Sequence, residues 1–287
     1  METMILVTGA AGKTGRAAIR ALAQRGQTVR ALVHRAEQRE LVLNEGAAEA
    51  PAGDLADAHN LQQALDGATA IYHLCPNMHP DEVSIGRRVI NAAQEAGVAH
   101  FVYHSVFHPQ VEAMPHHWNK MRVEALLFAS GLPFTILQPT AYMQNLRPNW
   151  LRMQNEGVLA NPYPPETRLS LVDVADVGEA AATVLTEPGH LGATYELCGT
   201  GPMSQHEVAG ILAGVLGLPI RAEMIPLDEW ERGAVRAGLS AYAVATLKQM
   251  FEYYAAHGLV GNPNVLRWLL GRKPTNISGF AQRVLLE

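Results

Sequence analysis

The chain has 287 residues, of which 48% are hydrophobic and 17% charged, a balance typical of a globular enzyme and unlike that of a disordered chain. Its formal net charge of −5 comes with scattered lysines and arginines and no basic tract, so we expect no nucleic acid partner. The only cysteines, Cys75 and Cys198, form no CxxC pair, which argues against a disulfide framework and a thiolate zinc site.

Apolar runs alternate with helical stretches through the first half of the chain, a rhythm typical of βαβ units. The predicted strands cover residues 4–7, 28–33, 48–51, 70–74, 100–103 and 134–138. The predicted helices cover residues 15–25, 39–45, 61–65, 84–96 and 117–130, and glycines close several of them. This order predicts an α/β fold with a doubly wound parallel sheet of the Rossmann type.

After Gln144 the rhythm breaks into a stretch rich in proline and aromatic residues, which we expect to belong to a small C-terminal substrate lobe. A short segment at 168–172 and a seventh strand at 194–198 follow. Ser204 and Glu207 then form a capping box that opens a helix ending near Gly217, and further helices begin near residues 228, 240 and 263. We therefore divide the chain into a nucleotide-binding core, 1–145, and a mixed segment, 146–287, that completes the sheet and forms the lobe.

The sequence also bears on location and assembly. It shows neither a secretory leader nor an uninterrupted apolar run of about 18 residues, so we expect a cytoplasmic protein without a membrane partner. Reduced thiols fit the same compartment. The oligomeric state stays open, with a homodimer allowed.

Three glycines at three-residue intervals stand between the first strand and the first helix. A diphosphate can approach the backbone N–H groups of such a turn because no Cβ blocks it. A P-loop would need glycine where Val7 stands, and a tight turn without chemical meaning is the remaining alternative. The residues predicted to hold a dinucleotide here are Thr8, Gly9, Gly12, Lys13, Thr14 and Gly15.

The end of the second strand distinguishes between the two nicotinamide dinucleotides, because an acidic residue there binds the free ribose hydroxyl and a basic one accommodates the extra phosphate. This strand ends in Val33-His34-Arg35, so Arg35 favours NADP(H), unless it is a solvated residue at a strand end. Further along the chain, we expect Asp54 and Leu55 at the adenine and Leu74 and Pro76 near the nicotinamide.

The glycine motif, Arg35, Gly53-Asp54-Leu55 and the strand ending Tyr103-His104-Ser105 resemble the short-chain dehydrogenase/reductase superfamily, in particular its atypical, NmrA-like branch. The resemblance implies one Rossmann-type domain whose small C-terminal lobe closes over the nicotinamide. It also implies NADPH-dependent reduction of quinones, dyes or phenylpropanoid ethers. Some members of this branch bind the dinucleotide and act as regulators.

The superfamily uses Ser, Tyr and Lys, with the tyrosine four residues before the lysine. Ser105 and Lys120 match the serine and lysine, but His116 stands where the tyrosine would be, and His117 competes with it as an acid. We expect Lys120 to orient or protonate the substrate and to contact the cofactor, and Ser105 to hydrogen-bond the substrate. Because a cationic lysine lies one turn away, we expect a lowered pKa and a neutral ring for His116.

Each assignment has a structural alternative. Lys120 could be a solvent-facing partner of Glu124 at i+4, and Ser105 could satisfy nearby backbone. The histidines between residues 100 and 117 lack metal-ligand spacing, so we expect no metal.

One helical stripe is assigned to the core, and four apolar residues are assigned to a lid over an apolar, planar substrate. The stripe is Trp118, Met121, Ala125 and Phe128, and the lid residues are Tyr142, Met143, Trp150 and Tyr163.

The sequence therefore predicts an NADP(H)-dependent oxidoreductase acting on an apolar conjugated or carbonyl-like molecule, such as a quinone, enone, imine or aromatic compound. Two alternatives stay open. One is a regulatory protein that senses NADP(H) without turnover, and the other is an isomerase or lyase that uses the nicotinamide transiently.

Overall fold

The computed structural model describes residues 4–76 and 78–284 and contains ten strands and twelve α-helices within them. The strands are β1 (Met4–Val7), β2 (Thr28–Ala31), β3 (Ala68–His73), β4 (His100–His104), β5 (Phe134–Pro139), β6 (Ala141–Tyr142), β7 (Val158–Asn161), β8 (Leu171–Val172), β9 (Ala193–Leu197) and β10 (Arg221–Met224). The helices are α1 (Lys13–Gln24), α2 (Arg39–Leu43), α3 (Ala58–Leu65), α4 (Glu82–Ala96), α5 (Pro115–Phe128), α6 (Trp150–Glu156), α7 (Val174–Thr186), α8 (Gln205–Leu216), α9 (Leu227–Arg236), α10 (Ala241–His257), α11 (Asn264–Leu270) and α12 (Ile277–Val284).

Six strands form one parallel sheet in the order β2-β1-β3-β4-β5-β9, with helices on both faces. Because every connection crosses over through a helix, the strands run in one direction and their carboxyl ends meet at one edge. The Rossmann-type prediction is confirmed. Among the described residues, no helix combines the length and apolar character needed to cross a membrane.

The strand predicted at residues 48–51 is not a regular strand. The segment makes only isolated parallel bridges beside β2, between Arg30 and Glu49 and between Val33 and Ala52. Pro51 has no backbone N–H to donate, which interrupts the ladder at the exposed edge. The segment still occupies the outer position of the sheet, since the backbone N–H of Val33 donates to the Pro51 carbonyl at 3.0 Å.

The face of α5 that enters the core differs from the prediction. Trp118 and Met121 are half-buried, Ala125 is exposed and Phe128 is 54% exposed, so this stripe is not core. The opposite face packs inward and carries polar groups. Its buried residues are His116, His117, Val123, Glu124 and Leu127. Apolar periodicity failed here because polar side chains occupy the face that lines the site.

The second half of the chain builds the last strand of the sheet and a separate packed lobe. The lobe contains the two-stranded sheet β7-β10 and the helices α8 to α10, and apolar side chains of this region join a cluster that also includes Phe107 and Met114 from the first half of the chain. The predicted capping box is confirmed, since Ser204 and Glu207 exchange side chain to backbone hydrogen bonds and Gly217 ends α8 in the left-handed region. The elements missed from the sequence are β6, β7, β10, α6, α7 and α12.

Helices α1 and α7 approach each other closely in the Rossmann core. A Cβ added at Gly178 on α7 would lie 2.6 Å from the carbonyl carbon of Ala17, which is too close for any real side chain. The glycine at this position therefore lets the two helix backbones approach each other.

We expect Gly178→Ala to destabilise the protein by about 1–3 kcal/mol, because the added methyl meets rigid backbone. The matched control is Gly214→Ala in α8, where an added Cβ meets nothing within 4 Å. This control should be neutral or stabilising by up to about 1 kcal/mol, since alanine favours helix over glycine. Urea unfolding of the two variants measures the difference, and equal effects would contradict the assignment.

Candidate active site

A cavity of about 1420 Å³ opens at the carboxyl edge of the sheet and continues into the lobe. Its first part is lined by the glycine loop, the ends of β2 to β5 and the inner face of α5. Its second part has apolar and aromatic walls, formed by Ile225, Trp230, Leu239, Leu247, Met250, Phe251 and Tyr254. One continuous space thus joins a phosphate-binding type of loop to an apolar chamber.

The glycine loop brings backbone close to backbone. Gly9 has a φ of +56°, and an added Cβ there would lie 2.9 Å from the Leu74 carbonyl oxygen. A Cβ at Gly15 would lie 2.5 Å from the Gly9 oxygen. Gly12 caps α1 without a side chain, so the first N–H groups of this helix face the cavity. This cradle fits a nucleotide diphosphate, because a helix N-terminus with open backbone donors attracts anions.

Thr8 does not line the cavity. Its hydroxyl is fully buried, donates to the Leu74 carbonyl at 3.1 Å and accepts from the Leu74 N–H at 2.9 Å. Thr8 therefore joins the end of β1 to the end of β3, and these hydrogen bonds stabilise the glycine loop that follows it. Leu74 and Pro76 themselves line the cavity.

The end of the cavity beside β2 is lined by the loop after β2 and by Asp54 and Leu55, the two residues predicted to lie at an adenine. His34 and Gln38 line it, while the neighbouring Arg35 has an exposed side chain outside the lining. Arg88 on α4 also lines the cavity, and its buried Nε has no partner among the described residues. Sequence reasoning missed Arg88, because nothing in helix periodicity distinguishes it from a surface arginine.

Lys13 extends from the glycine loop toward the lobe. Its Nζ donates to Oδ1 of Asn145 at 3.0 Å and lies 5.1 Å from the centre of the Tyr142 ring. Burial lowers the pKa of Lys13. Lys13 therefore links the glycine loop to the segment that follows β5.

Lys120 makes a different ion pair from the one considered in the sequence. Its Nζ donates to Glu82 on α4 at 2.6 Å and to the His104 carbonyl at 3.4 Å, and it lies over the Tyr103 ring. The side chains of Lys120 and Glu82 are only 14% and 2% exposed. The alternative of a solvent-facing pair with Glu124 is wrong, since Glu124 turns inward. Lys120 lines the cavity as a buried, paired cation.

Glu124 instead holds Ser105. The Ser105 hydroxyl donates to Oε1 of Glu124, and the Gln138 amide donates to both carboxylate oxygens at 2.9 and 3.1 Å. Burial raises the pKa of Glu124, and the hydrogen bonds from Ser105 and Gln138 oppose that effect. Since its hydrogen is directed at Glu124, the Ser105 hydroxyl offers the cavity an acceptor oxygen.

His116 and His117 both line the cavity as neutral rings. Burial, followed by the nearby His117 and Lys120, lowers the pKa of His116 to about 2. Burial also lowers the pKa of His117 to about 4, although its Nδ1 lies 3.2 Å from the His108 carbonyl oxygen. The pKa of His116 is lowered, as expected, but burial contributes more to this shift than Lys120 does. Neither ring carries an acidic proton of imidazolium type near neutral pH.

Of the four expected lid residues, Tyr142 and Tyr163 line the cavity. Met143 is fully buried in the lobe core, and Trp150 packs against that core. Among the described residues, histidine, cysteine and acidic side chains form no group of three that could hold a metal ion.

A buried polar chain leads from the sheet to Tyr142. The Tyr72 hydroxyl lies 2.6 Å from Nδ1 of His104, and Nε2 of His104 lies 2.7 Å from the Tyr142 hydroxyl. Burial, with the positive charge of Lys120, lowers the pKa of His104 to about 3. No motif or spacing in the sequence connects these three residues, because 70 positions separate Tyr72 from Tyr142.

Known proteins resemble this chain in sequence and in fold. The model of the NmrA-like family matches residues 1–281, which confirms the resemblance noted in the sequence. The chain is 29% identical over 285 residues to the NAD(P)H azoreductase of Xenophilus azovorans, with 97% of each protein covered. Quinone oxidoreductase 2 of Escherichia coli complexed with NADPH has a TM-score of 0.86 at 23% identity, covering 98% of this chain and 99% of that one. The Citrobacter sp. triphenylmethane reductase complexed with NADP(H) has a TM-score of 0.83 at 24% identity, covering 97% and 99%.

We expect Lys120→Met to cost about 3–5 kcal/mol of folding stability, because it leaves the buried Glu82 carboxylate without its partner. The double variant Lys120→Met, Glu82→Gln removes both charges and should recover most of that loss. Urea unfolding of the two variants and the unchanged protein measures it. A single variant as stable as the double one would contradict the buried pair.

The neutral histidines predict a loss of stability on mild acidification. Burial lowers the pKa of His73 to about 3, and those of His104 and His116 are similarly low, so the unfolded chain takes up protons below about pH 6.5 while the folded protein does not. Stability therefore falls as pH drops from about 6.5 toward 5, by about 1.4 kcal/mol per pH unit for each such ring. His116→Gln should flatten the slope by about one such contribution in urea unfolding across this range. Parallel slopes for the two proteins would contradict the neutral state of His116.

Proposed function

This chain belongs to the NmrA-like family, and we propose that it is an NADPH-dependent reductase that transfers hydride to an apolar conjugated or carbonyl-like small molecule. Quinones, enones, imines and azo or other aromatic compounds are the substrate classes. The observation that carries the proposal is the single cavity that joins the diphosphate cradle to the aromatic chamber of the lobe. A reductase needs both halves, whereas nucleotide binding alone needs only the first.

The cofactor, when bound, supplies the hydride, and the chain's own residues supply its position. The Gly9 to Gly15 loop and the N-terminus of α1 would hold the diphosphate, with Asp54 and Leu55 at the adenine and Leu74 and Pro76 along the nicotinamide half. Residues 1–145 then form the NADP(H)-binding core, and residues 146–287 complete the sheet and wall the substrate chamber. The free Cys75 and Cys198 agree with a cytoplasmic location.

Around the reacting atoms, Lys120 would place positive charge where negative charge develops on the reduced substrate. Its ion pair with Glu82 holds the ammonium group in one position. Ser105 would accept a hydrogen bond from the cofactor or substrate, and His116 and His117 would bound the site as neutral rings. The rings of Trp230 and Phe251 form part of the chamber wall and pack edge to face, with their centroids 4.8 Å apart. These aromatic walls favour a flat, apolar substrate.

One observation favours a second candidate, a regulator that binds NADP(H) without turnover. The position that carries tyrosine in the superfamily is His116, whose ring is neutral and buried. The regulator and the reductase differ in whether NADPH is consumed. Purified protein should oxidise NADPH only when a quinone, enone, imine or azo acceptor is present, and NADPH binding without consumption across the whole panel would favour the regulator.

The cofactor preference rests on Arg35. We expect Arg35→Asp to weaken NADPH binding by about 10- to 100-fold and NADH binding much less, because the carboxylate would repel the phosphate that the guanidinium holds. Equilibrium binding of both nucleotides measures the effect. Arg122→Asp, with the same charge change at an exposed position of α5, serves as the control. Equal affinity of the unchanged protein for NADPH and NADH would contradict the role of Arg35.

A further inference from the structure

The hydrogen-bonded chain of Tyr72, His104 and Tyr142 has only one arrangement of protons that satisfies every buried group. Tyr72 is fully buried, and His104 Nδ1 is the only side-chain partner of its hydroxyl among the described residues. The Tyr72 O–H must therefore donate to Nδ1, since the opposite arrangement would leave a buried hydroxyl hydrogen without an acceptor. Nδ1 is then the unprotonated nitrogen of the His104 ring.

The proton of His104 consequently lies on Nε2, because the ring is neutral with a pKa lowered to about 3 by burial. Nε2–H donates to the Tyr142 hydroxyl oxygen at 2.7 Å. The Thr14 hydroxyl lies on the same oxygen at a longer 3.4 Å. With its oxygen accepting these contacts, Tyr142 has its own O–H left to donate, and Tyr142 lines the cavity.

The surroundings of Tyr142 place it beside the other groups of the site. Lys120, which lies in the position of the superfamily lysine, donates to the backbone carbonyl of His104 at 3.4 Å. Lys13 of the glycine loop lies over the Tyr142 ring. Tyr142 ends the short strand β6, which begins two residues after β5, at the carboxyl edge of the sheet where the nicotinamide half of a dinucleotide binds in this type of fold.

Resting on the proposed function, we propose that Tyr142 is the proton donor of the reaction, replacing the tyrosine absent from position 116, and that His104 and Tyr72 are positioning residues that aim its O–H at the substrate. Burial raises the pKa of Tyr142 to about 12, so its hydroxyl stays protonated at neutral pH. The donated Nε2–H of His104 stabilises the phenolate that forms when the proton leaves.

The proposal narrows the substrate class to double bonds that end in a heteroatom, such as C=O, C=N, N=N or a quinone carbonyl. Bound NADPH would supply hydride to one end of the conjugated system, and the electron pair would move to the heteroatom. The Tyr142 O–H bond would break as its proton forms the new O–H or N–H bond. The products are the reduced substrate, the oxidised nucleotide and a Tyr142 phenolate, which regains its proton from water. A triarylmethane cation differs, because hydride alone converts it to a neutral product.

Tyr142→Phe tests the donor directly. We expect kcat with a quinone to fall by about 100-fold or more, within the range of general acid catalysis, while the Kd for NADPH stays unchanged in a calorimetric titration. The unchanged protein and Tyr142→Phe should reduce a triarylmethane cation with the same kcat. The matched control is Tyr195→Phe, which removes another tyrosine hydroxyl hydrogen-bonded to a histidine, His190, on a strand away from the cavity. Equal quinone kcat in Tyr142→Phe and Tyr195→Phe would overturn the proposal.

Nuclear magnetic resonance of the ¹⁵N-labelled histidines tests the proton arrangement without cofactor or substrate. We expect His104 to show a protonated Nε2 and an unprotonated Nδ1, with Tyr142→Phe shifting Nε2 and Tyr72→Phe shifting Nδ1. A protonated Nδ1 would overturn the proposal, because Tyr142 would then have to donate to His104. Two variants of His104 give a further check. His104→Gln keeps an N–H donor and should retain a higher kcat with a quinone than His104→Leu, while the KM values of the two variants stay similar.

The experiments separate this proposal from the proposed function. If the unchanged protein consumes no NADPH with any acceptor, the reductase function fails and Tyr142 has no reaction to serve. If it reduces quinones and Tyr142→Phe reduces them equally well, the function stands and only the assignment of Tyr142 fails.

Discussion

The close backbone approach between the glycine loop and the end of β3 is the constraint on which the site depends. Thr8 exchanges two hydrogen bonds with the backbone of Leu74, and Gly9 then turns with a positive φ against the same residue. This contact fixes the N-terminus of α1 at the edge of the cavity. It also sets the distance between the loop and β3, along whose end a dinucleotide would lie. A side chain at Gly9 or Gly15 would force this arrangement apart.

The floor of the cavity contains buried polar side chains that form hydrogen bonds or an ion pair with one another. Lys120 forms an ion pair with Glu82, Glu124 accepts hydrogen bonds from Ser105 and Gln138, and His104 is hydrogen-bonded to two tyrosines. Buried polar groups with good partners stay fixed in one geometry, so the site is preorganised before any ligand binds. The apolar side chains of the lobe line the other side, so an apolar chamber lies beside fixed charges.

Local patterns in the sequence predicted the parts of the fold that are determined locally. The glycine turn, the strand and helix rhythm and the Ser204 capping box depend on residues within a few positions of each other, and all appear in the structure. The edge segment at 48–51 is not the regular strand that was predicted, because Pro51 interrupts its ladder of backbone hydrogen bonds. The inward face of α5 differed because periodicity counts apolar residues, whereas this helix buries polar ones such as Glu124.

The site was predicted only in part for a related reason. The residue types at the glycine loop, Ser105 and Lys120 were identified from motifs, but their partners lie far away in sequence. The partner of Lys120 is Glu82 rather than the nearby Glu124, and no spacing rule connects Tyr72, His104 and Tyr142. Their meeting follows from strand order, which places the ends of β3, β4 and β5 side by side.

The central claim is that the glycine cradle binds a phosphorylated nicotinamide dinucleotide. Calorimetric titration of the purified protein with NADPH and, separately, with NADH tests it most directly. The account predicts saturable binding of one NADPH per chain, tighter than that of NADH. Absence of a binding signal for both nucleotides would contradict it.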